Sequence, residues 1–298
     1  MKHCRILISV ALVAVFGCSK ALAPAPVEDG LPIVFGVVAD GVAVRSVSTA
    51  EDITGQGFTA AAVSEGRVLF NETAVRVEGE SYFAPNAQRI RRYYFPLPPA
   101  TTSFYACFPP VQPIDLDKSG DASLLYLQDG ATDLLAAMLT GVVSSPGSVP
   151  LVFDHILSKA FVSCEVAASE DFTFTVTSVR IAVPQTACYS FESNYWEPQG
   201  EECLEEFLTD PVLLGGTTLT GEPRTFVPGS HAITVEWTVK HGDDYLGRFS
   251  RTLDEVEFEQ GKVHAVNLTF SDKSINGFLF TITVNQWVDS SINLELES

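Results

Sequence analysis

Positive charge is what this chain has least of for its size. Among its 298 residues 18 are Lys or Arg against 37 Asp or Glu, a formal net charge of −19. A surface of that sign repels phosphate backbones, so nucleic acid is excluded as a partner. Long apolar runs are also missing. The longest, residues 6–16, falls short of the roughly 20 residues that a membrane span needs. Helical periodicity is nearly absent, because no window beyond about ten residues keeps a capped 3.6-residue apolar repeat; the nearest is a short stretch at 131–139. Catalytic signatures are absent too: there is no G-x-S-x-G, H-E-x-x-H, P-loop or G-x-G-x-x-G, so no enzyme is expected. Carboxylates are abundant, but no spacing singles out a glycosidase pair. His155, His231, His241 and His264 lie beside no second ligand type at a recognised spacing, and neither a metal nor a cofactor is expected.

What the chain does have is apolar material. Apolar residues make up 46% and charged ones 18%, with 20 Phe, enough for folded cores and, at this length, for two domains of ordinary size. The start reads Met1-Lys2-His3-Cys4-Arg5, then the apolar run, then Gly17-Cys18-Ser19-Lys20, a secretory leader. Two cleavage points compete. Ala21-Leu22-Ala23 is small-x-small but is followed by Pro24, a poor residue for that peptidase. Gly17-Cys18, with Val15 three before the Cys, has the form of a lipoprotein box, although Phe16 is bulkier than usual. The second reading makes 1–17 the signal peptide and Cys18 the lipidation site, carrying a thioether-linked diacyl group and an amide-linked acyl chain such as palmitate. Ala23-Pro24-Ala25-Pro26 then lies in a tether, 18–30. Four cysteines remain, Cys107, Cys164, Cys188 and Cys203, which allow three pairings. Cys188 and Cys203 flank a hairpin pattern and are the first pair to test; buried free thiols fit as well.

Residues 149–166 organise the rest. They follow the break Ser144-Ser145-Pro146-Gly147-Ser148 and read as two extended runs around a kink, since period-2 alternation resumes at Val162, Cys164 and Val166. His155 in that stretch is read as a hydrogen-bonded structural His at a bend. Before it, a leading strand places Leu31, Ile33, Phe35 and Val37 on one face and Pro32, Val34, Gly36 and Val38 on the other. Both faces are apolar, which predicts a sandwiched strand. Short strands follow at 58–63, 67–70, 74–77 and 81–83, with Asn71-Glu72 and Ser64-Glu65-Gly66 as turns. Then come longer ones: 172–183 with a bulge at Thr177-Ser178, 231–240 answered by 245–253, then 263–270, 278–287 and 292–296. Residues 189–196 and 201–206 read as an exposed excursion. The fold class is therefore all-β, with two antiparallel β-sandwiches in tandem meeting near residue 148.

Two local patterns were weighed for binding. Asp115-Leu116-Asp117-Lys118-Ser119-Gly120-Asp121 copies the first half of a calcium loop, but the twelfth position is Tyr126, where such loops need a bidentate Glu. A solvated acidic turn is the better reading. Of the three Trp, Trp237 and Trp287 fall in strand patterns and are assigned to the core. Trp196, beside Tyr195 and among acids, is the one expected at the surface. It would be the sugar platform in the alternative function, a surface glycan-binding lipoprotein.

Several motifs together resemble the fimbrillin family of lipoproteins, subunits of the surface pili of Bacteroides-like bacteria. They are Phe153-x-His155 with Leu157-Ser158-Lys159 and an alternating strand; Tyr94-Phe95-Pro96 followed by Phe104-Tyr105-Ala106 with Pro109; Asp133-Leu134-Leu135-Ala136; and the turn Gly261-Lys262. Phe95 stands where the family pattern has Trp. The resemblance implies transthyretin-like sandwich domains over 31–148 and 149–298. It implies a structural or accessory subunit of fimbriae, lipid-anchored in the outer membrane at the cell surface and supporting adhesion. Its partners would be subunits of the same or a related kind and host or bacterial surface ligands. In that family an arginine-directed protease removes the first strand, and a neighbour's strand takes its place. Here the cut would fall between Arg45 and Ser46, the displaced strand would carry Ile33, Phe35 and Val37, and the donor strand would carry Ile292, Leu294 and Leu296.

Overall fold

Period-2 alternation, dense β-branched and aromatic residues and frequent turn signals dictate strands, and strands are what the chain forms. The structure, a computed structural model, describes residues 30–37, 53, 55–78, 80, 82–85, 93–110, 113–144, 146–167, 171–208, 210–214, 219–271 and 276–287. Among these residues twenty strands build three sheets. No helix among them is long and apolar enough to cross a membrane. From Leu31 onward the chain clusters as one unit.

The first sheet has eight strands. In spatial order they are β10 (Asp154–His155), β8 (Leu135–Val143), β5 (Thr101–Phe108), β2 (Phe58–Ser64), β3 (Arg67–Arg76), β4 (Phe83–Pro85), β1 (Phe35–Val37) and β9 (Val149–Leu151). Every pairing is antiparallel except β1 with β9. β2 and β3 are central, and β2 is buried at every position because both faces meet a core. Its Phe58, Ala60 and Ala62 join a Phe-rich cluster with Phe35, Phe70, Phe83, Phe95, Phe104 and Phe153, while Ala61 and Val63 face a second cluster. Small side chains at the middle of the strand let the two cores approach from either side. Glu65 and Gly66, both at positive φ (50° and 72°), make the tight turn into β3.

The second sheet contains β11 (Ser158–Val166), β15 (Leu219–Thr220), β16 (Arg224–Phe226), β19 (Lys262–Phe270) and β20 (Phe278–Gln286), with β11 and β19 parallel. The third contains β6 (Asp115–Leu116), β7 (Ala122–Leu127), β12 (Phe172–Ser190), β13 (Tyr195–Glu206), β14 (Val212–Leu214), β17 (Gly229–His241) and β18 (Asp244–Phe258). These two sheets enclose a core in which Ile233, Val235, Trp237 and Val239 of β17 face Val162, Cys164, Val266 and Phe270. The inward set of β17 is the one its alternation dictates. The bulge expected at Thr177-Ser178 is present, as a register shift against β17 between Val176 and Ser178.

The central stretch passes from sheet to sheet. Its first two runs, β9 and β10, finish the first sheet, and its third, β11, starts the second. Conversely β6 and β7, which precede it, pair into the third sheet through β12. The remaining cluster fills the space between the back of the first sheet and β7, the distal ends of β12 and β13, Leu157 and Trp287.

Three local expectations are corrected. Asn71 and Glu72 are not a turn but lie inside β3, because a register shift between Ala62 and Val63 lets β3 continue as one strand. Residues 135–139 are extended in β8, where pairing with β5 overrides a weak helical repeat. Of the two stretches read as an exposed excursion, 189–196 is the turn end of the β12–β13 hairpin, with Tyr189, Phe191 and Trp196 buried against β7 and Tyr105, while 201–206 in β13 is largely exposed as expected.

Candidate functional site

The leading segment lies in a groove of the first sheet. Its first part pairs with residues 93–95: the Ile33 amide donates to the Tyr93 carbonyl at 2.8 Å, and the Phe95 amide donates to the Leu31 carbonyl at 2.9 Å. Pro32 faces Tyr94 across this bridge, a position where a missing amide proton does no harm. Further on, β1 is inserted between β4 and β9. Phe35 is opposite Phe83 on the antiparallel side and Val149 on the parallel side, and the Val149 amide donates to the Val34 carbonyl at 2.8 Å.

Two side chains anchor the segment. Ile33 is 2% and Phe35 0% exposed. The Phe35 ring meets the edges or faces of three others from three different strands: Phe58 at 5.8 Å, Phe70 at 6.2 Å and Phe104 at 5.6 Å, all near-perpendicular. Such edge-to-face arrangements add about 0.5–1.5 kcal/mol per pair beyond burial. On the other face Pro32, Val34 and Gly36 are half-buried, so the strand is covered on one side and partly covered on the other, not sandwiched as its two apolar faces predict. Gly36 runs close to the chain before β9, where a Cβ would come within 2.7 Å of Ser148 Oγ. The groove is thus a slot with one deep aromatic pocket, one aliphatic pocket and a ladder on both sides.

The backbone of Val37 pairs with Leu151. The side chain of Val37 lies outside the described residues, as do Cys18, Arg45, Ser46, Ile292, Leu294 and Leu296. Sequence reasoning picked out the leading strand but not its parallel neighbour β9, which is more than a hundred residues further on and carries no local mark of that pairing.

Other candidate positions are placed as follows. Trp196, expected at the surface, is 3% exposed; its indole donates to the Ile156 carbonyl at 2.6 Å and its ring packs on Tyr126 and Tyr189. The hairpin register pairs it with Tyr189, which points inward, and turns Tyr195 outward instead. The sugar platform of the alternative reading is therefore not available. Trp237 and Trp287 are in the core as expected. Cys188 and Cys203 do not pair: in the same hairpin Cys188 is opposite Glu197 and Cys203 opposite Val183, and both keep their thiols, as does Cys164. Burial pushes the Cys107 and Cys164 thiols up to about 12.

His155 is nearly buried at the end of β10, 2.9 Å from Asp133 and stacked on Trp287 at 4.2 Å. Lys159 approaches the Trp287 ring at 5.1 Å. His155 and Trp287 line one end of a polar cleft of about 410 Å³ between β8, the β12–β13 turn and the start of β19. In the acidic loop the Asp117 carboxylate accepts three backbone amides, from Ser119, Gly120 and Asp121 at 2.8–3.0 Å. The Ser119 hydroxyl with those amides holds its pKa below the usual range, the chemistry of a self-capped turn between β6 and β7.

Comparison with known proteins agrees on one family. The family model described as Fimbrillin-like matches residues 46–287. Among solved structures, a fimbrial protein from Bacteroides vulgatus ATCC 8482 superposes with a TM-score of 0.60 at 14% identity, covering 83% of this chain and 99% of that one. A candidate cell adhesion protein from Bacteroides ovatus ATCC 8483 gives 0.52 at 13% identity, covering 88% and 100%. No curated protein matches the chain.

Proposed function

The chain belongs to the fimbrillin-like family, and from that premise we propose that it is a structural or accessory subunit of surface fimbriae, without enzymatic activity. In this reading the chain is held in the outer membrane through lipid on Cys18. Cleavage between Arg45 and Ser46 frees the strand bearing Ile33, Phe35 and Val37, and a strand from a neighbouring subunit takes its place. The terminal Ile292, Leu294 and Leu296 form the strand this chain offers in turn. The assembled fibre carries adhesion to host or bacterial surfaces.

One observation carries the proposal: the ladders of the leading segment run to strands distant in sequence, β4, β9 and residues 93–95, and among the described residues it has no hairpin partner of its own. Backbone hydrogen bonds can be exchanged like for like by another extended segment that refills the two pockets. The structural likeness to a fimbrial protein from Bacteroides vulgatus supports the same reading.

The test is protein from cells carrying the wild-type gene or Arg45→Ala. Wild-type protein should begin at Ser46 once processed and run as a ladder of polymers on unboiled gels. Arg45→Ala should keep the leading segment and lose the ladder. An unchanged mature N-terminus in Arg45→Ala, or wild-type protein that stays monomeric with residues 31–37 still in the groove, overturns the proposal.

A further inference from the structure

We infer that the groove selects its replacement strand by an aromatic side chain at the Phe35 position, and that this chain therefore accepts a segment from a different protein rather than the terminal ribbon of a second copy of itself. The inference rests on the strand-replacement reading above and adds the chemistry of the incoming partner.

The Phe35 pocket is built from rings. Phe58, Phe70 and Phe104 arrive from β2, β3 and β5 and surround a side chain with no exposed surface. Phe104 is itself braced by Phe95 at 5.9 Å, and Phe58 by Phe83 and Phe153 at 5.3 and 5.2 Å. The pocket walls are therefore interlocked and have little freedom to close around a smaller group. An aliphatic occupant would leave part of the slot unfilled and would lose all three edge-to-face pairs. Two positions earlier, Ile33 fixes an aliphatic anchor. One position later, at Gly36, any Cβ meets Ser148 Oγ at 2.7 Å, so a longer side chain enters only after that hydroxyl turns away. The slot reads an extended segment of the form aliphatic, any residue, aromatic, small.

The chain's own terminal ribbon does not satisfy that pattern. Residues 288–298 read Val-Asp-Ser-Ser-Ile-Asn-Leu-Glu-Leu-Glu-Ser, with no aromatic residue, so no register of these residues places a ring in the pocket. With Ile292 set at the Ile33 position, Leu294 takes the Phe35 place and Glu295 the Gly36 place. A homopolymer joined by this ribbon would leave the Phe35 pocket without its ring and would have to turn the Ser148 hydroxyl aside at the next position. The geometry assigns the chain a place in a fibre where the subunit that fills its groove is a different protein.

The experiment uses the full mature chain, cut once within residues 38–52 and with its leading segment left bound. Fluorescent peptides are offered in excess: one copying residues 31–38, its Phe35→Leu version, its Gly36→Glu version, and one copying residues 292–298. Anisotropy reads binding, and mass spectrometry reads release of the original segment. The 31–38 copy should exchange in, the Phe35→Leu version should bind at least about tenfold more weakly, and the 292–298 peptide should be the weakest. If the 292–298 peptide or the Phe35→Leu version binds as tightly as the 31–38 copy, the selectivity is wrong while strand replacement stands. If no peptide enters, the 31–38 copy included, strand replacement itself fails and the inference with it.

Discussion

Replacing Phe35 with Ala is the perturbation that most directly examines the groove. The side chain is fully enclosed and its ring touches three others. Truncation removes its apolar burial, the three ring pairs and the packing around a void that braced neighbours cannot collapse to fill. A loss of about 3–5 kcal/mol is the expected cost of such a Phe-to-Ala change. In a body of this size each kcal/mol lowers the melting temperature by about 2–4 °C, so a fall of roughly 6–20 °C follows. Phe35→Leu keeps most of the apolar area and should lose less than Phe35→Ala, but about 1.5 kcal/mol or more, from the three ring pairs. Val34→Ala, on the half-buried face, should cost about 1 kcal/mol or less. Calorimetry of the uncut chain reads the order of the three variants. Hydrogen exchange adds a local readout: Phe35→Ala should speed exchange at the Ile33, Phe95 and Val149 amides, which lie on the ladder of the leading segment, before amides of β17 are affected. A Phe35→Ala protein melting within about 2 °C of wild type, less than 1 kcal/mol, would refute the argument that this ring pins the strand.

Further outcomes follow from the rest of the molecule. Burial, the larger cause, holds the His231 and His264 pKa values below the usual range. His231 donates from Nε2 to the Val227 carbonyl, and His264 Nε2 accepts the Glu259 amide, so protonating His264 sets two N–H groups against each other. Both are depressed in the folded state, so their stability contribution is complete above the unfolded value of about 6.5 and is lost as pH falls below it. Melting temperature should drop between pH 7 and 5, and less so in His264→Gln; identical pH profiles for the two proteins would be the contrary result. Trp196→Ala should destabilise by about 3–5 kcal/mol in urea, with Trp196→Phe losing about 1–3 kcal/mol for the orphaned Ile156 carbonyl; a neutral Trp196→Ala would mean the indole is not buried. Denaturing alkylation without reductant should label Cys107, Cys164, Cys188 and Cys203 alike, and a Cys188–Cys203 peptide in the digest would contradict the hairpin register.

Much of the groove was legible before any fold was known, and the reason is that strand alternation is a local property. Alternation put Ile33 and Phe35 on one face because successive side chains point to opposite sides of a strand, and the same rule set the inward residues of β17; with both faces of the leading strand apolar, only the structure decided which of them is the buried one. Trp196 shows where the rule stops. Alternation placed it opposite Tyr195, but which of the two faces inward depends on the hairpin register with Tyr189, fixed by contacts elsewhere. The same register kept Cys188 and Cys203 apart. A helical repeat at 131–139 gave way because β5 offered a ladder that a few favourable helical positions could not match.

Composition, charge and periodicity by themselves determined that this is an acidic chain of strands with an apolar leading segment, since each of those properties is written within a few neighbouring residues. Tertiary structure alone decided that β1 runs parallel to β9, that Phe35 sits inside a cage of three rings from three strands, and that residues 149–166 pass from the first sheet into the second. Those facts depend on which distant backbone groups find one another and on how side chains from separate strands share one space, and neither is encoded in any single segment.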